Sequence, residues 1–417
     1  MGKNETDILW NFGTYAVMGL CGLLKYFLIA AFYSPDVLGV YNQVYAVFLI
    51  TDTFATGGLQ TSTLKHVAQY AHEKGAYRII GASAILLSFV LAIISSLVVW
   101  ILRVQIGVWL DSPRVATGLV WALPGVFFFT INRILLAVLN GLSRMKTYAF
   151  FNALRYVLIL GTVAIMAAFR VPGEVLPVVF SIAEIILFIC QVVSLRSDFS
   201  VPSISDLKVW MKIHLSFSLR GYGSAVLGGL GSRLNVLILG YFASDQAVGI
   251  YSLAAAAIDA IVQFPLILRT VFSPILVRYI DTRKLDELHS LFKKVMAYTY
   301  LGMLVIGVGA VLAFPIGLKL VSNQEKYMQG WPIFAILMLG IVLYSGYIPV
   351  SNILLLGGRP GMQSWLIFSM TIIVITLNLL LVPTLGGIGT ALASAIGYTL
   401  TVPLLKYLAN KALQVQI

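Results

Sequence analysis

The chain has 417 residues, of which 59% are hydrophobic and only 11% are charged, and its mean hydropathy is +0.94. Soluble domains do not reach these values, so the composition excludes an ordinary soluble enzyme or binding module and predicts a membrane protein. The net charge of +12 does not indicate a nucleic-acid partner, because the basic loops lack interleaved aromatic residues and any known binding motif.

Apolar stretches follow one another along the whole chain, each long enough for the ~20 residues with which a helix crosses the hydrocarbon. Their uninterrupted character indicates helices, because the strands of a membrane barrel alternate apolar and polar residues. We therefore predict an all-α polytopic membrane protein with twelve transmembrane helices. The predicted spans are residues 8–33, 38–62, 78–102, 117–141, 147–170, 175–196, 213–241, 247–276, 294–320, 330–356, 362–383 and 387–408.

The charges outside these spans set the orientation. Most of the Lys and Arg residues outside the span interiors lie on the side of the N-terminus, which the positive-inside rule assigns to the cytoplasm. An even number of spans then places both termini in the cytoplasm. Cys21 and Cys190 lie inside predicted spans, so we expect no structural disulfide.

The two halves of the chain repeat each other. FYSPDVLGVYNQVYAV, residues 32–47, aligns with FASDQAVGIYSLAAAA, residues 242–257, so that Gly39 matches Gly249. Six spans in each half predict a parallel repeat with a pseudo-two-fold axis along the membrane normal. We expect two six-helix bundles, 1–198 and 213–417, joined by a cytoplasmic linker, 199–212, around a central cavity.

Ionisable residues inside the spans are the candidate site. Six cations facing lipid would cost about 15–20 kcal/mol, so we predict that most of them face a water-filled cavity and bind substrate. Snorkelling to the membrane surface and pairing with acids are the alternatives, and snorkelling applies best to Arg220. The internal repeat aligns Lys25 with Asn235, which joins the predicted set. The substrate-binding candidates are Lys25, Arg133, Arg155, Arg220, Arg233, Arg269 and Asn235.

Three acids inside the spans are candidates for ion coupling: Asp259 first, then Glu184 and Asp52. The alternative is that each pairs with a base. Proton exchange, sodium exchange and passive movement all remain open. No metal, nucleotide or catalytic motif is present, so we expect no cofactor, no metal and no catalytic residue. Candidates for reading sugar hydroxyls are Gln43, Asn132, Asn140 and Gln263.

Three segments of the sequence resemble those of a known family. SPDVLGVYNQ after the first span, SRLNVLILGYFASDQAVGIYSLAAAAID in the second half and GIGTALASAIGYTL in the last span are similar to the polysaccharide-exporter branch of the multidrug/oligosaccharidyl-lipid/polysaccharide (MOP) superfamily, which contains the Wzx-type flippases. One departure is Asn235, where the family's seventh span often has an acid.

The resemblance implies a function. It implies a flippase that moves an undecaprenyl-diphosphate-linked O-antigen, capsule or exopolysaccharide repeat unit across the bacterial cytoplasmic (inner) membrane by alternating access. It also implies membrane lipid around the protein, a proton or sodium counter-ion, a polymerase and other polysaccharide-assembly proteins as partners, and a monomer.

Three other functions are weighed against this one. A multidrug or organic-ion antiporter of the same fold needs a pocket dominated by acids, whereas bases outnumber acids here. A lipid II flippase of the related fourteen-span type needs two further spans. A membrane glycan polymerase or ligase needs a long outer loop with catalytic residues, and the predicted outer loops are short.

Overall fold

All regular structure in the described part of the chain is helical. The structure is a computed structural model that describes residues 3–198, 203–282, 285–321 and 325–413, so residues 199–202 of the predicted linker lie outside the described residues. Its α-helices are α1 Lys3–Phe32, α2 Pro35–Thr56, α3 Leu59–Gln69, α4 Lys74–Trp109, α5 Pro113–Gly141, α6 Met145–Ala168, α7 Val178–Leu195, α8 Ile204–Phe242, α9 Asp245–Asp281, α10 Leu285–Val321, α11 Gly330–Ser345, α12 Ile353–Leu356 and α13 Pro360–Leu413.

Nine of the described helices are long and apolar enough to cross a membrane. A tenth candidate is the bent pair Ala225–Gly231 and Arg233–Phe242 within α8, which turns by 57°. The apolar face of α4 is exposed, with Ile101, Val104 and Val108 each more than half accessible, as expected for side chains that contact lipid tails. These features confirm a helical multi-pass membrane protein.

The count of twelve spans stays a prediction. The predicted spans 362–383 and 387–408 both lie in α13, whose 54 residues are too long for one crossing and are interrupted at Gly386 by φ 53° and ψ −130°. The predicted span 38–62 is divided between α2 and α3, because Gly57 and Gly58 have positive φ and end the helix.

The helices form two compact units. The first contains residues 1–33 and 40–237, and the second contains residues 34–39 and 238–417. In the first unit α4 packs on α5, α1 on α6, and α5 on α7. Helix α5 is its central element: Ile134, Leu135 and Leu139 are inaccessible to solvent or nearly so. The predicted division at 199–212 stays a prediction.

The second unit is organised around α11, which packs against α13, α9 and α10. The rings of Phe314 and Phe334 stack with centroids 4.2 Å apart. Leu405 and Leu408 of α13 pack with Ile353 of α12 in the same unit. Each unit therefore has its own apolar core.

Candidate functional site

Lys25 of α1 is the centre of a group of aromatic rings in the first unit. Its side chain is buried, and its ammonium nitrogen lies 4.7 Å from the ring centroid of Tyr26, 5.0 Å from that of Tyr45 and 5.5 Å from that of Tyr41. Tyr26 is held in place because its hydroxyl donates a hydrogen bond to Asn42 Oδ1 at 2.6 Å. Aromatic faces stabilise a desolvated cation by about 2 kcal/mol.

Arg233 of α8 lies over the same aromatic ring as Lys25. Its guanidinium carbon is 5.5 Å from the centroid of Tyr45, so one tyrosine is shared by two cations from two helices. Helix α8 bends two residues before Arg233, at Gly231, which has non-helical backbone angles. Helices interrupted inside the membrane are the usual position of transporter binding sites.

Tyr45 is itself supported by an aromatic stack. Tyr41, Tyr45 and Phe48 recur at helical spacing on one face of α2, and all three rings pack against Phe180 of α7 with centroids 4.9 to 5.4 Å apart. Phe129 of α5 extends the stack at 5.0 Å from Phe48. We call Lys25, Arg233 and these aromatic residues, together with Tyr26, the cation–aromatic cluster.

Arg155 of α6 joins this cluster to a buried ion pair. Its guanidinium lies 4.6 Å from the ring centroid of Phe129, and its Nε donates to Glu184 Oε1 at 2.6 Å. Asn132 of α5 donates a further hydrogen bond to Glu184 Oε2 at 2.8 Å. Both Glu184 and Asn132 are buried. Asn132, a candidate for reading sugar hydroxyls, here holds a carboxylate.

Arg133 of α5 forms the second ion pair, with Asp52 of α2. It also donates hydrogen bonds to Gln60 Oε1, through Nε at 3.0 Å and through a terminal nitrogen. Asp52 is buried completely, whereas about a third of the Arg133 side chain is accessible. The arginine is therefore paired on one side and open on the other.

The open side of Arg133 lines a recess of about 330 Å³ between α2, α3 and α8. Its wall is polar or small: Thr53, Thr56, Gln60, Thr61 and a series of glycines. Gly229 of α8 is required there, since a Cβ atom at this position would lie 2.5 Å from Thr53 Cγ2. We call this space the Arg133 recess.

The charges of the first unit do not balance inside the predicted spans. The cation–aromatic cluster and the two ion pairs beside it contain the bases Lys25, Arg133, Arg155 and Arg233 and the acids Asp52 and Glu184, a surplus of two positive charges that leaves out the exposed Arg220. Arg233 forms no ion pair with any residue that the structure describes. Within the described ranges, no group of three His, Cys, Asp or Glu residues could hold a metal ion. The cluster is therefore suited to an anionic ligand.

The remaining candidates lie elsewhere. Asn235 is buried in the first unit, and Arg220 is exposed, where its Nε donates to the backbone oxygen of Ser216 at 3.2 Å. Arg269 and Asp259 belong to α9 of the second unit, where Asp259 is exposed and lies near Tyr398. The structure thus brings four of the six predicted bases together with two of the three acids. No role of these residues is tested by this arrangement.

Comparison with known proteins decides the family. A model of polysaccharide biosynthesis proteins matches residues 6–279, about two thirds of the chain. The chain belongs to this family. No curated protein sequence matches it.

Solved structures show which fold this polysaccharide biosynthesis protein has. An inward-facing multidrug resistance MATE family transporter of the MOP superfamily matches with a TM-score of 0.78 and 16% identity, over 95% of this chain and 94% of that one. The lipid II flippase MurJ in an inward closed conformation matches with a TM-score of 0.77 and 14% identity, over 96% of this chain and 87% of that one. A MOP superfamily transporter from Pyrococcus furiosus matches with a TM-score of 0.57 and 15% identity, over 99% of this chain and 96% of that one. The predicted resemblance to the MOP superfamily is confirmed.

Sequence reasoning missed the aromatic part of this family member's site. Tyr41, Tyr45 and Phe48 carry a readable signal, because their spacing of four and three residues places them on one helix face. Gln60 was also missed. Its neighbours Gly57 and Gly58 mark the helix break that positions it, but nothing local predicts its hydrogen bonds to Arg133, 73 residues away.

Proposed function

We propose that the chain moves an undecaprenyl-diphosphate-linked oligosaccharide, such as an O-antigen, capsule or exopolysaccharide repeat unit, across the cytoplasmic membrane of a bacterium by alternating access. The observation that carries the proposal is the cation–aromatic cluster. Family membership supports a role in polysaccharide biosynthesis, and the MOP fold supports transport rather than an enzymatic reaction.

A diphosphate is the ligand whose chemistry fits these charges. Its oxygens accept several charge-assisted hydrogen bonds, and a guanidinium can donate two of them in parallel. The surplus of two positive charges in the cation–aromatic cluster and its neighbouring ion pairs equals the negative charge of a diphosphate diester. Lys25 and Arg233 are the cations we assign to the diphosphate, because both lie over the ring of Tyr45 in the cation–aromatic cluster.

The Arg133 recess suits the glycan. Sugar hydroxyls both donate and accept hydrogen bonds. The recess wall offers Thr61 and the acceptor oxygens of Thr53 and Thr56, whose own protons are donated to backbone carbonyls of α2. Gln60 accepts from Arg133 through Oε1, which leaves its amide nitrogen as a donor. We propose that sugar hydroxyls bind in this recess while the diphosphate lies against the cation–aromatic cluster.

Multidrug antiport is the second candidate, since a structure with this fold is a multidrug resistance transporter. An organic cation would require acids that are free of bases, and both acids in the predicted spans of the first unit are paired. The structure from Pyrococcus furiosus is described as having a binding pocket of reverse polarity, suggesting a different function. The polarity of the pocket is accordingly the feature on which we base the choice.

The remaining parts of the proposal follow from the sequence. We propose that both termini are cytoplasmic and that the protein is a monomer. We also propose that transport is coupled to a proton or sodium gradient through Asp259, with Glu184 and Asp52 as further candidates. Cooperation with a polymerase and other polysaccharide-assembly proteins is proposed because the translocated repeat unit must then be polymerised.

Reconstitution with two competing substrates tests the proposal. The purified full chain is placed in proteoliposomes with a fluorescent undecaprenyl-diphosphate oligosaccharide, and a membrane-impermeant quencher measures how fast the label changes leaflet. We expect the label to cross only in vesicles that contain the protein, whereas ethidium is not transported. Transport of ethidium without movement of the lipid-linked glycan would establish the antiporter instead.

A further inference from the structure

A second basic site lies outside the cation–aromatic cluster, where α3 meets the first part of α8. A groove of about 580 Å³ is lined mainly by Lys65 and His66 of α3 and by Lys212, Ser216, Phe217 and Arg220 of α8. All of these residues belong to the first unit. We call it the basic groove. The sequence assigns Lys65 and Lys212 to the cytoplasmic side, where the chain is expected to meet the inner leaflet.

The charge of the basic groove is uncompensated. Its lining contains three permanent cations and no acid. Lys65, Lys212 and Arg220 form no ion pair with any residue in the described ranges. A cluster of cations at this density repels itself unless an anion neutralises it.

The cations are also oriented by local contacts. Arg220 donates from Nε to the backbone oxygen of Ser216 at 3.2 Å and from a terminal nitrogen to the Ser216 hydroxyl at 3.3 Å. The Lys65 ammonium lies 5.0 Å from the ring centroid of Phe217. His66 packs edge-on against the same ring, with centroids 5.7 Å apart. Part of the ordering entropy of an anion site is therefore already lost before any ligand binds.

An apolar stripe runs beside the basic one. Lys212, Ser216 and Arg220 recur every four residues and share one face of α8. Leu215 and Leu219, one position earlier in each turn, are 48% and 64% exposed. The helix thus presents cations and exposed leucines side by side, which is the combination that contacts the headgroup and the acyl chains of one lipid.

We propose that the basic groove binds the phosphate of an anionic membrane phospholipid, with the acyl chains against Leu215 and Leu219. A free phosphate has the same headgroup chemistry but gains nothing from exposed leucines. Basic residues near the anionic cytoplasmic leaflet each contribute roughly 1 kcal/mol to lipid binding, about a fivefold change in affinity. The proposal does not depend on which substrate the protein transports.

Native mass spectrometry of the purified full chain tests this site. Phosphatidylglycerol, phosphatidylcholine and inorganic phosphate are each titrated against the wild type and against the triple variant Lys65→Gln, Lys212→Gln, Arg220→Gln. The matched control is Lys74→Gln, Lys146→Gln, Lys208→Gln, which removes the same charge from three exposed lysines elsewhere in the first unit.

We expect the triple variant to bind phosphatidylglycerol at least about tenfold more weakly than both the wild type and the control. We also expect phosphatidylcholine binding to be unchanged and inorganic phosphate not to displace the lipid. An equal loss in the control would show nonspecific surface charge and overturn the proposal. Displacement by millimolar inorganic phosphate would overturn the assignment to a lipid. A melting temperature within about 2 °C of the wild type excludes unfolding as the cause.

Transport by the same variants separates this proposal from the proposed function. A triple variant that loses phosphatidylglycerol but still moves the lipid-linked glycan supports a lipid site and leaves the transport proposal intact. If the wild type moves no lipid-linked glycan, and the triple variant binds phosphatidylglycerol more weakly than the wild type does, the results support the lipid site alone. If the triple variant binds phosphatidylglycerol as tightly as the wild type, the proposed lipid site is wrong whichever substrate the protein transports.

Discussion

Gly39 and Asp245 touch backbone to backbone: a Cβ atom at position 39 would lie 1.8 Å from the carbonyl oxygen of Asp245. The reverse contact is also present, because a Cβ atom at Gly249 would lie 1.9 Å from the carbonyl oxygen of Pro35. The internal repeat aligns residue 35 with 245 and residue 39 with 249. All four residues belong to the second unit, where the start of α2 packs closely on the start of α9.

Alanine at either glycine should destabilise the protein. Neither carbonyl can move without shifting the start of a helix, so Gly39→Ala or Gly249→Ala should cost about 1–3 kcal/mol and lower the melting temperature in detergent. Gly309→Ala in α10 is the matched control, because a Cβ atom there would meet nothing within 4 Å. Equal melting temperatures for Gly39→Ala and Gly309→Ala would show that the close approach is absent.

The ion pair between Arg155 and Glu184 should be needed for folding. Removing one partner leaves a buried charge, which destabilises by about 3–5 kcal/mol. Arg155→Met should therefore reduce the amount of folded protein in the membrane, and the double variant Arg155→Met, Glu184→Gln should restore much of it. The measurement is the monodisperse peak in size-exclusion chromatography. Normal yield of Arg155→Met alone would show that the pair does not stabilise the fold.

Tyr45 should matter through its ring rather than its hydroxyl, since Lys25 and Arg233 both lie over that ring. Tyr45→Phe should keep transport in proteoliposomes near the wild-type rate. Tyr45→Leu removes two cation–π contacts of about 0.5–2 kcal/mol each, and we expect it to weaken binding of the lipid-linked glycan by about tenfold. Equal binding by the leucine and phenylalanine variants would remove the ring from the site.

Asp259 should carry the coupling to an ion gradient. It belongs to the second unit, whereas Asp52 and Glu184 form ion pairs with Arg133 and Arg155 in the first unit. Asp259→Asn should abolish the acceleration of transport by an imposed proton or sodium gradient and leave binding of the lipid-linked glycan unchanged. Gradient-driven transport at the wild-type rate in Asp259→Asn would exclude this residue from coupling.

The sequence predicts the helical membrane fold because apolar length and the absence of alternation are local properties. The repeat around Gly39 and Gly249 can also be found from the sequence alone. The break between α2 and α3 is harder to predict, because a glycine pair inside an apolar run is also common in straight packed helices. That ambiguity is why the stretch 38–62 reads as one span.

The partners inside the candidate site could not be predicted in the same way. Arg133 and Asp52 are 81 residues apart, and Arg155 and Glu184 are 29 apart. Which base pairs with which acid depends on the packing of α2, α5, α6 and α7, and no spacing in the sequence encodes it. The residue types still indicated a surplus of positive charge, which is the property on which the proposed function depends.

Binding of the lipid-linked glycan to a variant that lacks both assigned cations tests the central claim most directly. Isothermal calorimetry in detergent compares the wild type, Lys25→Ala with Arg233→Ala, and the exposed control Arg359→Ala for binding of an undecaprenyl-diphosphate oligosaccharide. Losing two charge-assisted hydrogen bonds of about 1.5–3 kcal/mol each predicts an affinity at least about a hundredfold weaker in the double variant only. Wild-type affinity in the double variant would contradict the assignment of the diphosphate to this cluster.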